Sequence, residues 1–171
     1  MVRRYIKIVG QVNEFVGKLA GWLASVLVLL ICYDVAMKFF FNYSNAAIFE
    51  MEWHLFALIF LLGAPYTLKN DRHVRVDVFY SNFSPKRKAW VNLLGVVLFL
   101  APFCLLVIDK SWVYTRNSFL MGEGSPDPGG LPYRFLLKGA IIVAFILLLL
   151  QGTALFFESL LTILKKEPAE Q

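Results

Sequence analysis

Four long apolar segments occupy most of this 171-residue chain and limit what it can fold into. The hydrocarbon core of a membrane is about 30 Å thick and needs about 20 helical residues to cross it. The segments that meet this length cover about residues 19–41, 46–68, 90–114 and 135–164. Because 58% of the residues are hydrophobic and only 17% are charged, a single soluble core could not bury them. We therefore predict an all-α integral membrane protein with four transmembrane helices.

Lysine and arginine residues are concentrated on one side of the predicted membrane. They precede the first segment, fill the second connector and follow the fourth segment, at positions Arg3, Arg4, Lys7, Lys18, Lys69, Arg72, Arg75, Lys86, Arg87, Lys88, Lys165 and Lys166. The other two connectors have only Lys38, Arg116 and Arg134 near their helix ends. The positive-inside rule therefore predicts cytoplasmic termini and a cytoplasmic second connector. The net charge of +5 then reflects topology and contact with lipid headgroups, so we expect no nucleic-acid partner.

The segments between the spans differ in composition. Apolar residues recur at helical spacing in an N-terminal arm, about residues 2–16, which predicts an interfacial helix. The cytoplasmic connector, about 69–88, mixes valine and phenylalanine with charges and predicts a second amphipathic segment. Within it, Ser84 followed by Pro85 predicts a helix start. The periplasmic connector, about 115–134, is rich in glycine and proline and predicts a loop with fixed turns.

Several ionisable residues lie toward the outer ends of the segments. Asp34 and Lys38 are four residues apart and predict a local ion pair on one helix face, although charges inside a membrane can also mark a transport path. Asp109, Lys110 and Lys138 lie in the outer third of their segments. We expect pairing across helices to neutralise these three.

Glu50, Glu52 and His54 form a polar group at the outer end of the second segment. A metal site would need further converging ligands, and no second histidine is placed to face them, so we predict no metal site. Cys32 and Cys104 both lie inside apolar segments, without a second cysteine nearby. We predict that both are buried as small apolar side chains.

Other polar and small residues predict contacts between helices. Gln151 and Asn92 are candidates for interhelical hydrogen bonds. Gly17 and Gly21 have the four-residue spacing that allows two helices to approach closely.

The residues that are absent argue against several function classes. A membrane cytochrome needs axial ligands on facing helices, but His54 is the only histidine within a predicted span. A transporter that works alone normally shows internal repeats and interrupted helices that meet at mid-membrane, whereas the apolar centres of these segments are uninterrupted. We therefore predict that the chain is not an enzyme, holds no cofactor and packs against another membrane protein.

Several motifs resemble one family. Glu50, Glu52 and Trp53 open the second segment, and Gly63 and Tyr66 lie near its end. They are followed by His-Val-Arg-Val-Asp at residues 73–77, Ser-Pro-Asp-Pro-Gly-Gly-Leu-Pro at 125–132, Lys138 and Leu-Leu-Gln-Gly at 149–152. In this order, over about residues 14–164, the chain resembles the small membrane subunit of tripartite ATP-independent periplasmic (TRAP) transporters.

The resemblance implies a place in a three-part transport system of the bacterial inner membrane. In that family, a periplasmic binding protein delivers an organic anion, often a carboxylate, to a large multi-span subunit. The large subunit moves the anion by a sodium-driven elevator mechanism, so sodium is expected to bind there and not in the present chain. The small subunit packs against the static scaffold of the large one, and the binding protein is a transient partner.

We consider a set of polar, aromatic and glycine residues as candidates for contact with these partners: Asp34, Lys38, Glu50, Glu52, Trp53, His54, His73, Arg75, Asp77, Asp109, Lys110, Gly129, Gly130 and Lys138. Among them, the outer charges of Glu50, Glu52, Asp109 and Lys110 are expected to contact a partner through complementary charge. For the turn at Gly129 and Gly130 we expect a backbone reason, since glycine tolerates φ angles that other residues avoid. Two functional alternatives remain open from the residues alone. One is a freestanding four-helix scaffold or small channel that forms a homo-oligomer. The other is a subunit of a membrane oxidoreductase, which would bind haem or quinone.

Overall fold

The computed structural model describes residues 1–70 and 83–164, which form long helices joined by short connections. The elements are α1 (Val2–Phe41), α2 (Ala46–Lys69), α3 (Pro85–Gly95), a π-helical turn (Val96–Leu100), α4 (Ala101–Leu120) and α5 (Phe135–Ile163). The three elements between residues 85 and 120 follow one another without a break. No strand occurs within the described ranges, and four helical stretches are long and apolar enough to cross a membrane. The predicted all-α fold with four spans is confirmed.

Local sequence signals set where several helices begin and end. The side chain of Asn45 accepts a hydrogen bond from the backbone N–H of Ala47 and caps the start of α2. Asn42, at the end of α1, adopts a left-handed conformation with φ of 47°. Ser84 caps α3, whose first residue is Pro85, as the sequence predicted. The short turn between α1 and α2 makes these two helices antiparallel.

The bundle has two ends, which we name by what lies there. The loop end holds the turn between α1 and α2 and the connector between α4 and α5, residues 121–134. The terminal end holds the start of α1 and the end of α5. The predicted arm at residues 2–16 is the first part of the continuous helix α1, and its depth relative to the membrane stays a prediction.

Helix α5 lies at the centre of the bundle and packs against all the other helices. Consecutive residues on it face different neighbours, because helical side chains are about 100° apart. Gln151 bonds to α1, whereas a Cβ added at Gly152 would lie 2.2 Å from Leu100 Cδ2 in the π-helical turn. Leu148 packs with Leu68 of α2 in the main apolar cluster.

The π-helical turn precedes Pro102, the second residue of α4. Proline has no N–H, and its ring clashes with the carbonyl four residues earlier in a regular helix. Here the N–H of Ala101 bonds to the carbonyl of Val96, five residues back, so the backbone is widened just before the proline. Leu100 lies in this widened turn and occupies the space that Gly152 leaves open.

The two cysteines differ in exposure. Cys104 is fully buried in the cluster with Leu68 and Leu148, as predicted. Cys32 is exposed on α1, so the prediction that it is buried is wrong within this chain. The reason is that α1 packs only one side against its neighbours, and Cys32 lies on the other side.

Candidate functional site

Glu50 organises the loop end of the molecule. It lies in the first turns of α2, and its side chain is only 3% exposed. Its Oε1 accepts hydrogen bonds from Ser125 Oγ at 2.5 Å and from Arg134 Nη2 at 2.9 Å. Its Oε2 accepts one from the backbone N–H of Leu131 at 2.6 Å. One buried carboxylate therefore fixes three points of the connector between α4 and α5, an arrangement that we call the Glu50 clasp.

The connector also bonds to itself around these three points. The N–H of Ser125 donates to the carbonyl of Leu131, and Ser125 Oγ accepts from the N–H of Asp127, both at 3.0 Å. The N–H of Arg134 donates to the carbonyl of Glu123 at 3.1 Å, just before α5 begins. These bonds close the loop on itself, so that the Glu50 clasp holds a defined shape.

Two adjacent glycines in this loop are required for different reasons. Gly129 has φ of 78°, a conformation that other residues adopt only with strain, as predicted for this turn. Gly130 has no such φ, so the predicted conformational reason is wrong for this residue. A Cβ at Gly130 would instead lie 2.3 Å from Ser125 Oγ and 2.9 Å from Glu50 Oε2. The absence of a side chain there allows the loop to reach the carboxylate.

Trp53, His54 and Glu52, which lie close to Glu50 in sequence, have different contacts. Arg134 lies over the ring of Trp53, with its Cζ 5.8 Å from the ring centroid. The imidazole Nδ1 of His54 is 2.6 Å from the carbonyl oxygen of Glu50 and donates to it. Glu52 is partly buried and has one carboxylate oxygen without a hydrogen-bond partner among the described residues. Glu50 and His54 are therefore each committed to bonds within the chain.

A second contact joins the loop to α5. Lys138 Nζ, at the start of α5, donates to Glu123 Oε2 and lies 3.8 Å from the centroid of the Tyr114 ring. The hydrogen bond from Lys138 lowers the pKa of the Glu123 carboxyl below its ordinary value of 4.5. Glu123 is therefore ionised at neutral pH and holds the first residues of the loop near α5.

Two expectations about the outer charges are corrected. Asp109 and Lys110 pair with each other at 3.0 Å on the exposed face of α4, and Lys138 pairs with the loop, so the predicted neutralisation across spans is wrong. Glu50 is buried and already holds three donors, so it is not the surface charge expected beside Asp109 and Lys110. A partner contact through any of these residues stays a prediction.

Asp34 and Lys38 form the predicted local ion pair, with 2.5 Å between Lys38 Nζ and Asp34 Oδ2. Asp34 is buried, and Lys38 is about half exposed. His73, Arg75 and Asp77 lie outside the described residues, and so does most of the predicted cytoplasmic amphipathic connector.

Polar contacts at the terminal end join α1 to the centre of the bundle. Asn13 Nδ2 donates to Gln151 Oε1 at 2.8 Å, and both side chains are buried. Tyr5 Oη lies 2.6 Å from Thr153 Oγ1. These contacts confirm the predicted interhelical role of Gln151, but Asn13 was not predicted. The side of α1 that carries Ile8 is exposed within this chain.

A charged contact and a close approach join α1 to α2 at the same end. Lys69 Nζ donates to Glu14 Oε2 at 2.7 Å, and Lys18 Nζ lies 3.0 Å from the other oxygen of that carboxylate. A Cβ at Gly17 would lie 2.4 Å from the ring of Tyr66, so this glycine has the predicted close approach. Gly21 has nothing within 4 Å of its Cβ position, and for it the prediction is wrong.

Comparison with known proteins agrees with this architecture. One curated relative is a candidate TRAP transporter small permease protein of Haemophilus influenzae, 25% identical over 149 residues, which cover 85% of this chain and 91% of the relative. Another is the C4-dicarboxylate TRAP transporter small permease protein DctQ of Vibrio cholerae, 28% identical over 139 residues, which cover 78% of this chain and 60% of the relative.

The matched region includes the Glu50 clasp but not the first part of α1. The profile of the family described as tripartite ATP-independent periplasmic transporters, DctQ component, matches residues 27–162, well over half of the chain. Together with four apolar spanning helices, this match shows that the chain belongs to the DctQ component family, as the small subunit of a TRAP transporter and a multi-pass inner-membrane protein, not an enzyme.

Proposed function

We propose that this chain packs on the static scaffold of a large multi-span TRAP subunit and enlarges it. In the assembled system, a periplasmic binding protein delivers an organic anion, and the large subunit transports it with sodium. The name of the Vibrio cholerae relative supports a carboxylate as the anion. We expect sodium and the anion to bind in the large subunit, so the present chain contributes surface, orientation and stability.

The observation that carries this proposal is an apolar stripe along α1 that has no cover within the described parts of the chain. Its residues are 44% to 74% exposed, and the sequence interval between them alternates between four and three: Ile8, Val12, Phe15, Leu19, Trp22, Val26, Leu29 and Tyr33. This is the spacing at which one helix packs along another. At 1.5 Å per residue the stripe is about 38 Å long, more than the hydrocarbon thickness.

The Glu50 clasp supports a second part of the proposal. If the lysine and arginine distribution sets the orientation, the loop end faces the periplasm, where the binding protein arrives. A loop held by a buried carboxylate presents a fixed backbone, and fixed surfaces bind with a smaller loss of conformational entropy. We therefore assign Glu50 a positioning role. The exposed residues of the loop would make the contact, while Glu50 holds them in place.

Co-expression with the large subunit tests the proposal. We expect the two chains to co-purify in a one-to-one complex, and vesicles with both chains to take up the anion only with the binding protein and an inward sodium gradient. The present chain alone should give no uptake. Selective uptake by this chain alone, or a stable homo-oligomer that ignores the large subunit, would contradict the proposal.

A matched set of substitutions locates the contact. Alanine at Phe15, Trp22 and Leu29 removes three large side chains from the stripe and should reduce the yield of the complex. Alanine at Phe103, Leu106 and Val113, which are also exposed but lie on α4, should leave the yield unchanged. If only the α4 set reduces the yield, the large subunit binds the other side of the bundle, and the stripe is not the contact.

A further inference from the structure

The hydrogen bond between Asn13 and Gln151 stands out because both of its side chains are buried. Asn13 is fully inaccessible to solvent and Gln151 is 7% exposed. The two residues are 138 positions apart in sequence, so their bond joins the first helix to the last. Asn13 lies before residue 27, where the match to the family profile begins. Gln151 lies inside the matched region, so the family profile covers only one partner of this contact.

Apolar packing alone specifies the rotation of α1 poorly. Apolar residues lie on its packed side, as with Val9, and on its exposed side, as with Phe15. Close packing, as at Gly17 against Tyr66, disfavours rotation on the side that faces α2. Elsewhere a rotation exchanges one apolar surface for another, because lipid is as apolar as the protein. A buried amide pair is different, because rotation by one residue, about 100°, would separate its partners and leave both without hydrogen bonds.

The geometry of the pair suits a role in specifying the rotation of the helices better than a role in stabilising the fold. Asn13 Oδ1 is buried without a hydrogen-bond partner among the described residues, so the asparagine does not satisfy all of its polar groups. An apolar residue of similar size would avoid this cost. A buried asparagine in an apolar helix interface can fix the register of the helices at some expense in stability.

We infer that the Asn13–Gln151 hydrogen bond is a register lock, which sets the rotation of α1 against α5 and so determines which face of α1 is presented to the outside. The nearby contact of Tyr5 with Thr153 acts in the same direction on the same two helices. This inference concerns the fold of the chain itself. It holds whether or not the large subunit covers the exposed face of α1.

Thiol labelling of α1 in the membrane tests the lock in the full-length chain. In a C32S/C104A background, a single cysteine replaces either Val9, which is 7% exposed, or Phe15, which is 65% exposed. A membrane-permeant maleimide labels each, and the ratio of the Val9→Cys rate to the Phe15→Cys rate reports the rotation of α1. Asn13→Leu and Gln151→Leu should each raise this ratio about threefold or more, the factor typical of one interhelical hydrogen bond.

Exchange of the two residues provides the decisive control. Asn13→Gln combined with Gln151→Asn keeps the total reach of the two amides, so it should restore the bond and return the ratio to the original value. Val28→Leu, an exposed change on the same helix but outside the stripe, should leave the ratio unchanged. If the leucine variants do not accumulate but the exchange variant does, the bond is required for folding, and the lock is supported.

Two results would overturn the inference. In the first, Asn13→Leu and Gln151→Leu leave the labelling ratio at its original value, so the bond does not determine the rotation of α1. In the second, the leucine variants raise the ratio but the exchange variant does not restore it. Side-chain volume at these positions, and not the hydrogen bond, would then determine the rotation.

Discussion

The two ends of the bundle are held by different chemistry. At the loop end, one buried carboxylate, that of Glu50, gathers three donors from a single connector. At the terminal end, the contacts of Asn13 with Gln151 and of Glu14 with Lys69 join three separate helices. The first arrangement fixes the shape of a loop, and the second fixes how helices lie against one another. Changes at the loop end should therefore disturb the loop and spare the helices, and changes at the terminal end should do the reverse.

Glu50→Gln is expected to have the largest effect on the stability of the loop. Glutamine cannot form the ion pair with Arg134. Its NH₂ group would take the place of a carboxylate oxygen that accepts a hydrogen bond, so two donors would face each other. Disruption of one member of a buried ion pair costs about 3 kcal/mol or more. We expect faster proteolysis within residues 121–134, lower binding-protein-dependent uptake and unchanged membrane insertion.

Asp109→Asn is the matched control, because it removes a carboxylate from an exposed pair. Exposed ion pairs contribute at most about 1 kcal/mol, so proteolysis of the loop should stay at the original rate. Equal rates for Glu50→Gln and the original chain would mean that the Glu50 clasp does not hold the loop. Loss of helix packing in Glu50→Gln would contradict the division between the two ends.

Gly130→Ala should have the next largest effect on the loop. The added Cβ would overlap Ser125, which must move away from the carboxylate. Overpacking of this kind costs about 2 kcal/mol. Ser125→Gly in the same chain removes the overlapping atoms and should restore part of the protection from proteolysis. Gly124→Ala is the control, since its nearest neighbour is 3.9 Å away, and it should change little.

Equal rates of loop proteolysis in Gly130→Ala and Gly124→Ala would contradict the assigned close approach. Slower proteolysis in the variant that combines Gly130→Ala with Ser125→Gly than in Gly130→Ala alone would support it. The comparison separates the steric effect of the added Cβ from any effect on backbone conformation, because neither Gly124 nor Gly130 has the positive φ that Gly129 has.

Gly17→Ala tests the terminal end in the same way. Its Cβ would overlap the ring of Tyr66, so α1 and α2 must separate. We expect a loss of about 1 to 2 kcal/mol in the free energy of unfolding in mixed micelles. Gly21→Ala, one helical turn further on, meets nothing within 4 Å and should be neutral or stabilising, because alanine favours helix more than glycine. Proteolysis of the loop should be unchanged in both variants. If the two variants have equal free energies of unfolding, Gly17 is not a contact.

The helices were predictable because their signals are long and local. Span length, the cap at Ser84 and the pair between Asp34 and Lys38 depend on residues close together in sequence. The burial of Glu50 was not predictable, because its partners are 75 to 84 residues away and the sequence does not show which carboxylate of the second segment faces them.

The packed face of α1 was missed for a different reason. In a soluble helix, apolar periodicity marks the buried face. In a membrane, the outward face is apolar as well, as at Ile8 and Phe15, so periodicity does not show which side of α1 packs against the other helices. A better signal was the polar residue itself: Asn13 lies within a largely apolar helix, and an amide in such a helix is stabilised by a buried polar partner.

Acidification should produce the smallest effect, and only at the loop end. Glu123 faces Lys138 and Arg134, and the hydrogen bond from Lys138 lowers its pKa from 4.5. A carboxyl whose pKa is lower when folded stabilises the fold at pH values above the unfolded pKa, and this contribution is lost as the pH falls through the folded pKa. The protection of amides in residues 121–134 from hydrogen exchange, relative to the intrinsic rate at each pH, should therefore be insensitive to this group from neutral pH down to about 4.5 and should fall below it. Glu123→Gln removes the titrating group, so the difference between the original chain and this variant isolates its contribution from those of other carboxylates. A difference that grows above pH 4.5, or one that appears equally in α1 at the terminal end, would contradict both the assignment of Glu123 and the independence of the two ends.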